Sequence, residues 1–273
     1  MNSTSILHHP LQWSTQLLSR TSSSSSFFSS SFFPNPLFST QTLRFRSTTS
    51  TKLLSLASKK GFNLKVEDFA SSDDLQFETP LKIVEYPDPR LRAKNKKINM
   101  FDDNLKKLVS EMFDVMYRTD GIGLAAPQVG MNVQLMVFNP VGERGKGEEM
   151  VLINPRVTKS SQKITLFDEG CLSFPEIYGD VQRPESVKVD ARDLSGSRFS
   201  VTLSGLPARV FQHEFDHLQG ILFFERMSED VLDTIRGGLQ ALELKYEKNT
   251  GLPSPERVEV RQRRKVALGF GKS

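Results

Sequence analysis

An α+β fold is what this sequence predicts, and three observations carry the prediction. Five short segments alternate apolar with polar residues, short polar turns join them in a way that suits antiparallel pairing, and three longer stretches suit helices, two by their apolar spacing.

The 273 residues are enough for one large domain or two small ones. Residues 1–58 read as a transit peptide: 23 of the first 51 residues are Ser or Thr, arginines are scattered among them, and no Asp or Glu precedes Glu67. The formal charge of +4 comes from this part of the chain. Removing the seven cations that precede Glu67 (Arg20, Arg44, Arg46, Lys52, Lys59, Lys60 and Lys65) brings it to −3, so the basic balance argues little for DNA or other nucleic-acid binding. No apolar run approaches the roughly 18 residues needed to span a bilayer, so a soluble protein of plastid or mitochondrion is expected, with no membrane partner. Residues up to about 79 read as polar and poorly ordered.

A catalytic domain is expected over 80–250. It opens with Leu81 to Tyr86 as a short strand closed by Pro87 and Pro89. Asp102 or Asp103 caps a helix in which Leu105, Leu108, Val109, Met112 and Met116 recur at helical spacing until Gly121. The stretch GIGLAAPQVG from Gly121 to Gly130 lacks the Lys-Ser/Thr ending of a phosphate loop, which excludes nucleotide binding there. Its small residues suit a tight, well-packed turn or the wall of a peptide groove. The alternating segments are Val133 to Phe138, Met150 to Val157, Lys163 to Phe167, Ser186 to Ala191 and Arg198 to Leu203. In the fourth, Val187, Val189 and Ala191 share a face opposite Lys188 and Asp190.

Gly205 leads into a helix that carries Gln212-His213-Glu214-Phe215-Asp216-His217 and ends near Gly220. Residues four apart stack on one helix face, so two imidazoles can grip one metal ion with Glu214 beside it as a base. Two histidines leave a catalytic ion one ligand short of the usual three plus water. The metzincin pattern fails at Phe223, where its third histidine would stand. His8 and His9 lie in the leader, so the third ligand is sought among Cys171, Glu225, Glu229 and Glu243. Cys171 is the only cysteine, which rules out an intramolecular disulfide. A last helix begins at Ser228 and repeats Leu232, Ile235, Leu239 and Leu242. Gly237-Gly238 inside it costs about 2 kcal/mol against alanine and predicts a kink or close packing. Residues 251–273 form a basic, loose tail, either solvated or in contact with organellar ribosomal RNA.

GIGLAAPQVG, EGCLSFP and QHEFDHLQG, in this order, resemble the three signature motifs of the peptide deformylase family, over roughly Leu81 to Tyr246. With its leader, the chain is similar to the bacterial-type deformylases of plant organelles. The resemblance implies antiparallel sheets surrounding a central HExxH helix, with an N-terminal and a C-terminal helix. It implies removal of the formyl group from formylmethionine on newly synthesised organellar proteins, with release of formate, in the chloroplast stroma and also the mitochondrion. Cys171, His213 and His217 match the metal ligands and Glu214 the acid/base residue. The Gln128 amide and the Leu172 N–H match the groups that bind the developing oxyanion, and Gly123 pairs with the substrate backbone. Ile122, Leu206 and Val210 line the methionine pocket by the same resemblance. Tyr178 stands near the groove mouth where bacterial relatives often carry arginine, so contacts there do not carry over. Fe(II) is the implied ion, and a Cys-His-His set also admits zinc, nickel or cobalt. A homodimer stays open. The rival readings are an HExxH endopeptidase with a glutamate as third ligand, and a non-catalytic, metal-stabilised module that binds the ribosome.

Overall fold

The structure is a computed structural model that describes residues 69–259; the predicted leader (1–58) and residues 260–273 lie outside the described residues. Asp102 is extended and accepts a hydrogen bond from the Leu105 N–H (3.0 Å), which starts helix α1 (Asp103–Arg118). The expected stripe of Leu105, Leu108, Val109, Met112 and Met116 is buried, because residues three and four apart share one helix face.

Among the described residues seven strands follow: β1 (Gly123–Ala125), β2 (Leu135–Phe138), β3 (Met150–Ser160), β4 (Ile164–Cys171), β5 (Phe174–Pro184), β6 (Ser186–Arg192) and β7 (Arg198–Ser204). They form a five-stranded sheet in the order β1-β2-β3-β6-β7 and a two-stranded sheet β4-β5, with every pairing antiparallel. The register sets apolar partners opposite one another, as in Leu124 with Val137, Val137 with Val151, and Val189 with both Val157 and Val201. The paired β3 strand shifts register between Ile153 and Arg156. Asn154 takes up that irregularity at φ 51°, and its side chain bonds both the N–H (2.8 Å) and the carbonyl (2.6 Å) of Ile98.

Helix α2 (Gly205–Leu218) carries the HExxH pattern and touches β1, β2, β6 and β7 of the larger sheet and β5 of the smaller one. The expected α+β class with antiparallel sheets is therefore observed, and α2 touches strands of both sheets. Gly220 ends the helix at φ +70°, as the C-terminal glycine signal requires. Ser228 caps α3 (Glu229–Thr250), whose Ile235, Leu239 and Leu242 pack on an aromatic group of Tyr86, Phe174, Phe223 and Phe224. The glycine pair does not break this helix. A Cβ on Gly238 would come within 3.1 Å of the Ile177 side chain, so close packing is the reason for one glycine, while Gly237 faces open space. Among the described residues no helix is long and apolar enough to cross a membrane.

Three expectations are corrected. Leu81 to Tyr86 forms no strand, because its amides bond to two different loops: Val84 N–H to the Gln128 carbonyl (2.7 Å) and Tyr86 N–H to the Ser173 carbonyl (2.9 Å). Residues 69–79 are not loose, since Ala70 and Leu75 sit in the core beside α1 and Asp74 pairs with Lys96 (2.9 Å). The first part of the tail is also held. Buried Glu243 accepts from the Val258 N–H (2.7 Å), and Glu256 takes both Nε and Nη2 of Arg92 (2.8 and 2.9 Å).

Candidate active site

Residues from two elements supply the candidate ligand atoms. Cys171 ends β4, and His213 and His217 lie one turn apart on α2. One ligand atom from each lies within 4.8 Å of the others, with Cys171 Sγ 3.2 Å from His217 Nε2. A thiolate and two imidazoles at that spacing suit a tetrahedral ion with one position left for water or substrate, so the donor set fits the expected group. The other candidates for third ligand are engaged elsewhere. Glu225 bonds Arg92 and the Leu222 N–H, Glu229 pairs with Arg236, and Glu243 bonds the Tyr86 hydroxyl and Val258.

Glu214 follows His213 on the same helix and is buried, with Oε2 lacking a protein partner. Burial pushes its carboxyl up to about 7, against the lowering effect of His213 and Arg183. A base with that pKa is matched to proton transfer near neutral pH, and a neighbouring divalent cation would draw it lower. Burial also lowers His217, helped by the charge of His213. For His213 burial acts in the same direction, but Cys171 and Glu169 outweigh it and raise the imidazole well above its ordinary value.

The glycine-rich stretch becomes β1 followed by a 3-10 turn, Ala126–Val129, that buries Gln128. Gln128 Oε1 accepts from the Ala125 N–H (2.8 Å), which fixes the amide so that Nε2 points at Cys171 Sγ (3.5 Å). Gly123 in β1 lies against α2, where an added Cβ would stand 2.6 Å from both Glu214 Oε1 and Val210 Cγ1. Its glycine is therefore a matter of close approach. Ile122 is partly buried with its carbonyl held by the Asn139 N–H (2.9 Å), and Leu206 and Val210 pack in the same apolar cluster as Ile122. Leu172 sits in the tight connection between β4 and β5 and packs toward Gly121. Tyr178 is 50% exposed on β5, with its ring over Gly170. Gln212 ties α2 to β5 by donating to the Pro184 carbonyl (2.9 Å).

A buried charge network behind the histidines was not anticipated. Glu169, 1% exposed, accepts from Arg183 Nε (2.7 Å) and Nη2 (2.9 Å), from Arg209 Nη1 (2.7 Å), and pairs with His213 Nδ1 (3.0 Å). Arg183 Nη1 also reaches Asp216 Oδ2 (2.8 Å), and Arg226 closes on the same carboxylate from outside. Burial would raise Glu169, but His213 and Arg183 hold its carboxyl well below the usual range. An anion at Nδ1 fixes the tautomer that leaves Nε2 of His213 free to bind a metal. The only sequence signal for this network was that Glu169 and Asp216 lie inside the quoted motifs.

The polypeptide deformylase family model matches residues 80–232. The chain is 68% identical over 216 residues to peptide deformylase 1B, chloroplastic/mitochondrial, of Arabidopsis thaliana, covering 79% of each chain. It is 68% identical over 209 residues to the chloroplastic peptide deformylase 1B of Solanum lycopersicum, covering 77% of this chain and 75% of that one. A plant peptide deformylase crystal structure superposes with a TM-score of 0.66 at 71% identity, covering 67% of this chain and 99% of the other. A peptide deformylase of Plasmodium falciparum gives 0.60 at 43% identity, covering 63% and 99%. The fold, the ordered motifs and these matches lead to one conclusion: the chain belongs to the polypeptide deformylase family.

Proposed function

We propose that Cys171, His213 and His217 hold the divalent ion with which this deformylase removes the formyl group from formylmethionyl nascent peptides. The observation that carries the assignment is the approach of one sulfur and two ring nitrogens to within 4.8 Å. When bound, such an ion supplies Lewis acidity that makes hydroxide available near pH 7.

The protein's own groups do the rest. Glu214 takes a proton from the attacking water as its oxygen bonds to the formyl carbon. As the formyl C–N bond breaks, the same carboxyl returns that proton to the departing amine, leaving formate and a free N-terminus. Negative charge that grows on the formyl oxygen is met by the Gln128 amide and the Leu172 backbone N–H. The Ala125 bond orients Gln128 in advance, so this stabilisation needs little reorganisation. β1 is an edge strand of its sheet, so the substrate backbone can add beside Gly123. Ile122, Leu206 and Val210 offer the apolar wall for the methionine side chain, and Tyr178 stands at the groove mouth.

Fe(II) is our choice of ion, with Zn(II), Ni(II) or Co(II) able to occupy the same donors. The organellar names of the plant relatives support the chloroplast and the mitochondrion as its locations, and within the chloroplast our reading is the stroma. The arginine-rich tail offers a cationic contact to the organellar ribosome. Sedimentation of the full chain with and without ribosomes reads that contact and a homodimer together.

The activity test loads leaderless protein anaerobically with Fe(II) and supplies formyl-Met-Ala-Ser. Formate should appear, Glu214→Gln should lower turnover at least ~100-fold with the ion retained, and Cys171→Ala should lose the ion. Retention of a normal site by Cys171→Ala would return the endopeptidase reading, and unchanged turnover in Glu214→Gln would remove the carboxylate from the mechanism.

A further inference from the structure

Arg209 has no part in the chemistry above, yet it lies on α2 one turn before His213 and is only 6% exposed. Its helix neighbours Ala208, Val210 and Phe211 are all buried apolar residues, a costly place for a guanidinium without a reason. The contacts supply one. Nη1 donates to Glu169 Oε1 (2.7 Å) and to the Val181 carbonyl (3.0 Å), and Nη2 donates to the Thr165 carbonyl (2.7 Å) and hydroxyl (2.9 Å). The Phe167 ring covers the guanidinium at 5.3 Å.

Three of these four acceptors, and the covering ring, lie on β4, the strand that ends in Cys171. The donor is rooted in α2, the helix that carries both histidines. One rigid planar group thus joins the element bearing the sulfur to the element bearing the imidazoles. It also shares Glu169 Oε1 with Arg183, while the other carboxylate oxygen faces His213.

We propose that Arg209 is a positioning residue: it fixes the register of β4 against α2 and so the separation of Cys171 Sγ from the two histidine rings. The proposal rests on the reading of those three residues as the ligand set. Lysine can meet Glu169 with a point charge, but it lacks the fork that spans carboxylate and backbone carbonyls together. Its effect should therefore lie between those of arginine and an apolar residue.

The test uses Co(II), whose thiolate charge-transfer band reports Cys171 ligation and whose visible d–d bands report geometry. Wild type, Arg209→Met and Arg209→Lys are compared for these spectra, for Co(II) affinity by chelator competition, and for kcat and KM on formyl-Met-Ala-Ser. Arg209→Met should bind Co(II) ~10–100-fold more weakly with altered d–d bands. Its kcat should fall at least ~10-fold with KM little changed, as expected for loss of a transition-state arrangement. Arg209→Lys should be intermediate in both respects. If Arg209→Met folds and keeps wild-type spectra, affinity and kcat per folded molecule, Arg209 is structural only and the proposal falls. If it does not fold, Arg209→Lys decides: intermediate spectra and kcat support the role, and wild-type values overturn it. Absence of the thiolate band in wild type would refute the ligand assignment itself, and the proposal with it.

Discussion

Replacing Glu169 by glutamine keeps the length of the side chain and removes its charge at the point where four donors converge. Arg183 Nε and Arg209 Nη1 meet one carboxylate oxygen, and Arg183 Nη2 and His213 Nδ1 meet the other. An amide has one accepting oxygen, so one of these two pairs must face an NH2 group instead. If the pair is Arg183 Nη2 and His213, the imidazole is pushed toward the tautomer protonated at Nε2, which cannot ligate. If it is the other pair, two guanidiniums lose their shared acceptor. In either orientation a buried ion pair is broken, at a cost of about 3–5 kcal/mol. For a domain of this size each kcal/mol moves the melting temperature by roughly 2–4 °C, so Glu169→Gln should melt about 6–20 °C lower. Metal affinity should fall ~10–100-fold as well, since the contact orients a ligand. Urea unfolding followed by circular dichroism, with and without metal, gives the first quantity, and chelator competition gives the second. A loss of stability under ~1 kcal/mol with unchanged affinity would show that the network does not hold His213 in place.

Gly123→Ala places a methyl group 2.6 Å from Glu214 Oε1 and Val210 Cγ1, and relief by ~1 Å of movement at the carboxylate should cost ~100-fold in kcat with the ion still bound. A kcat within threefold of wild type would mean that β1 yields instead. Truncation after Leu252 removes the Val258 N–H from buried Glu243 and Glu256 from Arg92, and should lower the unfolding free energy by about 2 kcal/mol or more. An unchanged urea midpoint would show that these contacts add nothing. Tyr86→Phe should cost about 1.5–3 kcal/mol at pH 8, where the hydroxyl donates to Glu243. Burial and the Glu243 charge raise the Tyr86 pKa above that of the unfolded chain. Its contribution is therefore present below about pH 10 and is lost as pH rises beyond that value. The gap between wild type and Tyr86→Phe should narrow from pH 9 to pH 11, and a constant gap would count against a buried, ionisable hydroxyl.

The three helices were legible from local signals: the Asp102 cap and apolar stripe of α1, the Gly220 stop after α2, and the Ser228 cap with the Leu232, Ile235, Leu239 and Leu242 repeat of α3. β5 was not. Ile177, Gly179, Val181 and Arg183 turn inward in strict alternation, but a glycine and an arginine occupy two of those four places, so the pattern in burial is invisible in hydrophobicity. Arg183 can point inward only because Glu169 and Asp216 await it, and those partners are fixed by tertiary approach. The candidate ligand residues could be picked out by motif chemistry, whereas Arg209 and Arg183 depend on pairings that no local spacing records. Leu81 to Tyr86 misled for a related reason: its composition suits a strand, but the partners that take its amides lie on two separate loops.

That segment offers a use of its own. The amide protons of Val84 and Tyr86 are sequestered by the Gln128 and Ser173 carbonyls, one on each of the two loops that approach the sulfur of Cys171. Deuterium can enter Val84 only when the first loop swings out, and Tyr86 only when the second does. Comparing the two uptake rates with and without substrate would show which jaw of the cleft breathes during turnover.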